Sequence, residues 1–306
     1  LKREDHFYHG TLQRREGEVN RLIENNGITS PDQREALSKI ELVAVDLDGT
    51  LLDSNRKPSE GIQEAIDAAS ARGIRTVLVT GRNRAGLLHI MNQMALKQPY
   101  ICSGGGYIAD PETDEVIEQI RISRDSAERV VEIVREENAA VFFEAHLTIY
   151  AEASLELVES VGPLDELHVI LTQDILQDYP DPPQKIVIVN DDPHVMSTIE
   201  EKILAEGIPV YLSYSAPRYM ELTKAGVSKG SALVQLAKYL RIPLHRVAAI
   251  GDENNDLSMF EVAGMAIAMG NATAEVKLAA DVIAPNNDES GVAWALWQMV
   301  NARDEN

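Results

Sequence analysis

The sequence predicts an α/β protein, a doubly wound parallel sheet interrupted by a second, smaller α/β unit. Three observations carry this expectation. From Glu41 onward short apolar runs alternate with helix-patterned segments, the rhythm of right-handed strand–helix–strand crossovers. The rhythm changes between residues 110 and 218 and then resumes. Strands on both sides of the interruption end in carboxylates, at Asp46-Leu47-Asp48-Gly49-Thr50 and at Gly251-Asp252-Glu253-Asn254-Asn255-Asp256, and parallel sheets place their ligands at such strand ends.

Residues 1–39 form a polar lead-in. Gly10 and Asn25-Asn26-Gly27 bracket a predicted helix over Thr11–Glu24, and Ser30-Pro31 reads as the cap and first residue of another. The segment is either a docking or homo-oligomerisation arm or, more simply, a loosely packed extension. Leu42–Val45 is an apolar run short enough for a buried strand. It is followed by a helix over Ser59–Ala71 closed by Gly73, a β-branched strand over Ile74–Val79, a helix over Arg84–Leu96 and a strand at Tyr100–Cys102. Thr80-Gly81-Arg82 falls at the end of the second of these strands.

The interrupting unit is read as a helix over Ser123–Asn138, strands near Val141–Phe143, Thr148–Ala151, Lys185–Val189 and Val210–Ser213, and a helix over Pro193–Glu206. Gly104-Gly105-Gly106 and Ala216-Pro217 are read as its hinges, although the glycines equally suit a plain tight turn. The first rhythm then returns: helix Ser228–Leu240, strand Val247–Gly251, helix Asn254–Val262, strand Met265–Met269, helix Thr273–Ala280, strand Asp281–Ala284 and a last helix from Ser290. The expected division is an extension at 1–39, a core at 40–109 and 219–306, and an insert at 110–218.

Bulk properties narrow the chemistry. The 306 residues carry a formal charge of −21, which argues against nucleic acid or an anionic membrane surface as partner. A small phosphorylated substrate needs only a local cluster of cations and stays open. The lone Cys102 excludes an intrachain disulfide and fits a reducing cytoplasm. The seven histidines show no ligand spacing, so no zinc site is expected. No apolar run is long enough to span a bilayer.

Two acids at the mouth of a buried strand are costly unless something neutralises them. A hard cation such as magnesium, which takes oxygen ligands, does so. Asp252 and Asp256, four residues apart where a helix begins, share one side of it and read as the other half of the same cage. Lys229 stands in the first turn of its helix, where a cation opposes the macrodipole unless it faces an anion. With the Thr80 hydroxyl and the Gly81 amide it suits a phosphoryl group.

The ordered set Asp46-x-Asp48-Gly-Thr, Val79-Thr80-Gly81-Arg82, Gly226-Val-Ser-Lys229-Gly and Gly251-Asp252-x-x-Asn255-Asp256 resembles the haloacid dehalogenase superfamily of phosphatases. The inserted unit, Met269-Gly270-Asn271-Ala272 and Glu289-Ser-Gly-Val-Ala293 resemble its Cof-type branch. The likeness covers Ile40–Val300 and implies a Rossmann-like catalytic core with an inserted α/β cap. It also implies Asp46 as nucleophile and Asp48 as acid and base. Magnesium is implied on Asp46, the Asp48 carbonyl and Asp252, supported by Asp256. Phosphoryl oxygens would be held by Thr80, Gly81, Lys229, Asn255 and the Leu47 amide. Arg82, Glu144, His146, Tyr150 and Lys185 are candidates for substrate contact, Lys185 matching a lysine common in such caps.

The chain departs from the family where Ser103-Gly104-Gly105 replaces a usual Asn-Gly-Ala. The activity so implied is a magnesium-dependent phosphatase for a small phosphorylated metabolite. Alternatives are a sugar phosphomutase, a phosphoacceptor module of the receiver type, and a catalytically silent binding protein on the same fold.

Overall fold

The computed structural model describes residues 28, 30–113, 115–145, 147–161 and 168–305. The helix expected over Thr11–Glu24 lies outside the described residues. The chain divides into two compact units, one from the described residues of Leu1–Val77 and Ala237–Asn306, the other Leu78–Leu236.

The first unit is built on a five-stranded sheet ordered Val282–Ile283, Met265–Ala268, Val247–Gly251, Leu42–Val45, Arg75–Leu78. Leu42–Val45 runs parallel to Val247–Gly251, which runs parallel to Met265–Ala268, and that strand in turn to Val282–Ile283. Every residue of Leu42–Val45 and Val247–Gly251 is buried. This is why these strands read as unbroken apolar runs rather than as alternation. The helix Gly291–Asp304 packs against Ile62–Ala71 and Pro31–Ser38. The last of these opens as the sequence predicts: Ser30 and Gln33 form a reciprocal capping box with Pro31 at the first position. The helix expected over Asn254–Val262 is shorter, a 3-10 turn at Asn254–Asp256 followed by Leu257–Phe260.

The second unit contains a six-stranded sheet ordered Val210–Ala216, Tyr219–Lys224, Lys185–Val189, Ala140–Ala145, Thr148–Glu152, His168–Leu171. Its ladders are antiparallel except the last, between Thr148–Glu152 and His168–Leu171. Helices Arg124–Glu136 and Pro193–Ala205 cover one face. Val130, Val134, Met196 and Ile199 meet Val141, Phe143, Ile186 and Leu222 there. A separate three-stranded antiparallel sheet joins Tyr100–Cys102, Tyr107–Asp110 and Glu115–Gln119.

Three expectations change in this unit. Tyr100–Cys102 keeps a single parallel bridge, Val79 to Ile101, and spends its ladder on an antiparallel partner. Ala216-Pro217 is not a hinge but the turn of a β-hairpin, since Val210–Ala216 pairs with Tyr219–Lys224. Tyr219–Lys224, expected at the head of the resumed core, is an inner strand of the six-stranded sheet. The glycines at 104 and 105 form a tight turn, with φ of 64° and 104°. A Cβ on Gly105 would stand 2.3 Å from the Ser228 carbonyl oxygen, so this turn lies flush against the start of the helix Lys229–Leu240.

Candidate active site

In the first unit the strand Leu42–Val45 delivers Asp46, whose amide still bonds Ile250 O at 3.0 Å as the ladder ends. The chain then turns back on itself: Leu51 N reaches Asp46 O and Leu52 N reaches Leu47 O. Gly49 makes this possible at φ 79°. A Cβ there would meet Asp252 Oδ2 at 2.2 Å, so the acidic turn and the second acidic strand end are in direct contact through the missing side chain.

Asp46, Asp252 and Asp256 converge, with one carboxylate oxygen of each within 4.8 Å of the others, and all three residues are buried. Two like charges at that separation repel by roughly 3 kcal/mol at an effective dielectric near 20. The cluster therefore favours a cation. Oxygen-only donors of this kind match a hard divalent ion, so the residues present fit the metal that the sequence implies.

Neighbouring groups orient the carboxylates. Thr50 Oγ1 donates to Asp252 Oδ1 at 2.7 Å in a fully buried position. Asn271 Nδ2 donates to Gly49 O at 2.8 Å and to Asp252 Oδ2 at 3.4 Å, and its Oδ1 accepts from Asn287 N. Asp256 Oδ2 accepts the amides of Asp252 and Glu253 at 3.0 and 3.1 Å, which uses the donors left over at a helix start. Gly251 leaves room for it, since a Cβ there would lie 2.5 Å from Asp256. Thr50 and Asn271 stand inside sequence motifs without an assigned part. A hydroxyl directly after an acidic glycine turn was the available signal for Thr50. Asp48 is exposed at the turn and outside the three-carboxylate cluster, Leu47 is buried, and Asn255 is half-buried in the 3-10 turn.

In the second unit Thr80, Gly81 and Arg82 form one compact loop. Thr80 is buried; its carbonyl accepts from Gly104 N at 3.1 Å and its Oγ1 from Arg82 N at 3.0 Å. The Arg82 carbonyl accepts from Ser103 N. Lys229 is buried as the first residue of its helix, whose start is secured by Ser228 and Ser231 bonding each other's amides.

The candidates for substrate contact separate. Lys185 and Glu144 are buried against each other at 3.0 Å, and Glu221 lies 3.4 Å from the same ammonium. Burial pushes the Glu144 carboxyl above its ordinary range, and the Lys185 charge only partly offsets this. Burial opposes the charge of Lys185, yet Glu144 and Glu221 together hold its pKa above the usual value. The two residues face each other across paired strands of the six-stranded sheet. Tyr150 packs on Tyr179, ring centroids 4.9 Å apart. His146 lies outside the described residues. Glu221 carries no motif, and nothing in the sequence singled it out.

A parallel sheet with buried carboxylates clustered at its strand ends defines, within the first unit, an α/β protein with a ligand site of the kind that takes a hard cation. Comparison with known proteins places it further. The chain belongs to the haloacid dehalogenase-like hydrolases, whose family model matches residues 43–296, and within them to the Cof-type phosphatases with a Rossmann-like core and an inserted cap. It is 31% identical over 280 residues to the phosphatase YwpJ of Bacillus subtilis, covering 83% of this chain and 98% of that one. It is 26% identical over 277 residues to the pyridoxal phosphate phosphatase YbhA of Escherichia coli, covering 82% and 96%. Among solved structures, a haloacid dehalogenase-like hydrolase from Bacteroides thetaiotaomicron superposes with a TM-score of 0.76 at 31% identity, over 85% of this chain and 99% of that one. No helix among the described residues is long and apolar enough to cross a membrane.

Proposed function

We propose that the protein is a magnesium-dependent phosphatase that hydrolyses a small phosphorylated metabolite, a sugar phosphate or a cofactor phosphate, through an aspartyl-phosphate. The observation that carries the reading is the buried convergence of Asp46, Asp252 and Asp256. The name of the relative YbhA, which acts on pyridoxal phosphate, supports the cofactor-phosphate class.

In this reading an Asp46 carboxylate oxygen attacks phosphorus, an acyl-phosphate (mixed anhydride) O–P bond forms, and the bond to the leaving oxygen breaks. Asp48 gives its proton to that oxygen. It then takes a proton from the water that attacks the phosphoenzyme, releasing inorganic phosphate and restoring the Asp46 carboxylate. The exposure of Asp48 suits a group that exchanges protons with leaving group and water. Thr80, Gly81, Lys229, Asn255 and the Leu47 amide hold the phosphoryl oxygens, offsetting charge that the substrate brings. Asp46, Asp252 and the Asp48 carbonyl, with Asp256 in support, would hold magnesium, which would offset the negative charge of the two reactants. Thr50 and Asn271 keep Asp252 aimed. In this reading residues 110–218 select the leaving group.

The test is free-phosphate release from a panel of phosphorylated metabolites, with magnesium and with chelator, for the wild type and Asp46→Asn. Release that requires the metal and disappears in the variant is expected. Folded, metal-loaded protein that releases nothing from any compound sinks the reading, as does an active Asp46→Asn.

A further inference from the structure

The Lys185 ammonium is almost fully buried and meets three acceptors: the Gly81 carbonyl oxygen, Glu144 Oε1 at 3.0 Å and Glu221 Oε2 at 3.4 Å. One ammonium proton goes to the Gly81 carbonyl, and the two carboxylates pair with the charge. A lone buried lysine would be costly, and the two carboxylates compensate it. They also place it: Glu221 lies so close beneath Gly81 that a Cβ there would stand 3.1 Å from its Oε2.

The bond to Gly81 has a geometric consequence. A trans peptide unit points its C=O and N–H to opposite sides. With the Gly81 carbonyl held by Lys185, the Arg82 N–H of the same unit points away from it, and there it donates to Thr80 Oγ1 at 3.0 Å. That oxygen accepts from the backbone, which leaves the hydroxyl proton available to donate elsewhere. The carbonyls on either side are also engaged, Thr80 O by Gly104 N and Arg82 O by Ser103 N, so the Gly81 N–H faces away from Gly104. The loop has three carbonyl anchors, and Lys185 is the only side chain among them.

We propose that Lys185, clamped by Glu144 and Glu221, is a positioning residue that acts through the Gly81 carbonyl to present the Thr80 hydroxyl to a phosphoryl oxygen. This rests on the phosphatase reading above, in which Thr80 and Gly81 bind phosphate.

A double-mutant cycle tests it, using p-nitrophenyl phosphate with magnesium as the probe and circular dichroism to confirm folding. Lys185→Met is expected to lower kcat/KM by about tenfold or more, in the direction of losing an aimed donor. In a Thr80→Val background, which has no hydroxyl to aim, the same change should cost less than about twofold. A purely structural lysine would instead give effects that multiply, and that result overturns the proposal, as does full activity in Lys185→Met. Should Lys185→Met fail to fold because two carboxylates are left unpaired, Lys185→Met/Glu144→Gln/Glu221→Gln removes all three charges and enters the same cycle. A wild type that releases no phosphate, or whose release survives Asp46→Asn, withdraws the phosphatase reading and this proposal with it. Metal-dependent release lost in Asp46→Asn, combined with multiplying effects, overturns the Lys185 role alone.

Discussion

Replacing Thr50 by valine keeps the β-branched shape and deletes one hydroxyl, which makes it a direct probe of the carboxylate cluster. Thr50 is fully buried, and its Oγ1 donates to Asp252 Oδ1 at 2.7 Å. A hydrogen bond to a charged group contributes about 1.5–3 kcal/mol. Without it Oδ1 of a residue that is only 7% exposed loses this hydroxyl donor. At about 1.4 kcal/mol per tenfold, the loss corresponds to roughly 10- to 150-fold in magnesium affinity. This overlaps the range of about 10–100-fold found when groups behind metal ligands are removed. Titration calorimetry with magnesium, alongside urea unfolding of the metal-free protein, reads both consequences. Thr50→Ser should return most of the affinity, since it restores the donor. A valine variant that binds magnesium within threefold of the wild type, with unchanged unfolding, would refute the reasoning that Thr50 aims Asp252.

Gly49→Ala adds a methyl at φ 79° and 2.2 Å from Asp252 Oδ2. It should lose about 1–2 kcal/mol from backbone strain alone and weaken magnesium binding further by displacing Asp252; wild-type unfolding and binding would contradict this. Glu144 has its pKa raised by burial above the ordinary 4.5, so the folded state holds this proton more tightly than the unfolded chain. The stability it contributes is complete below pH 4.5 and is lost as pH rises through the raised folded value. Glu144→Gln does not titrate, so the stability difference should move in favour of the glutamine variant on going from pH 4 to pH 8. Urea unfolding across that range checks it, and a flat difference would count against the raised value. Burial likewise pushes the Cys102 thiol up to about 12, so iodoacetamide should label the native protein far more slowly than the urea-unfolded chain.

The strand ends were legible because their information is local. A buried parallel strand is an uninterrupted apolar run, and the residues that follow it are those at the strand's mouth. Asp46, Asp252, Asp256 and Thr80 could therefore be located from position alone. The cap was less legible. Tyr219–Lys224 reads as a polar stretch because Glu221 interrupts it, and Glu221 is tolerated inside the sheet only because Lys185 arrives from the neighbouring strand. Tyr107–Asp110, buried over its first three residues, pairs with the mostly polar Glu115–Gln119, where alternation is weak.

By itself the sequence determined the α/β class, the acids at the strand ends and the order of the groups proposed to hold the phosphoryl oxygens. Tertiary structure alone decided what those groups lean on. Thr50 and Asp252 are separated by 202 positions, and Lys185 and Gly81 by 104. Whether a buried lysine is a ligand or a strut depends on which acceptors surround its three protons, and only the folded sheet brings Glu144, Glu221 and the Gly81 carbonyl to that point.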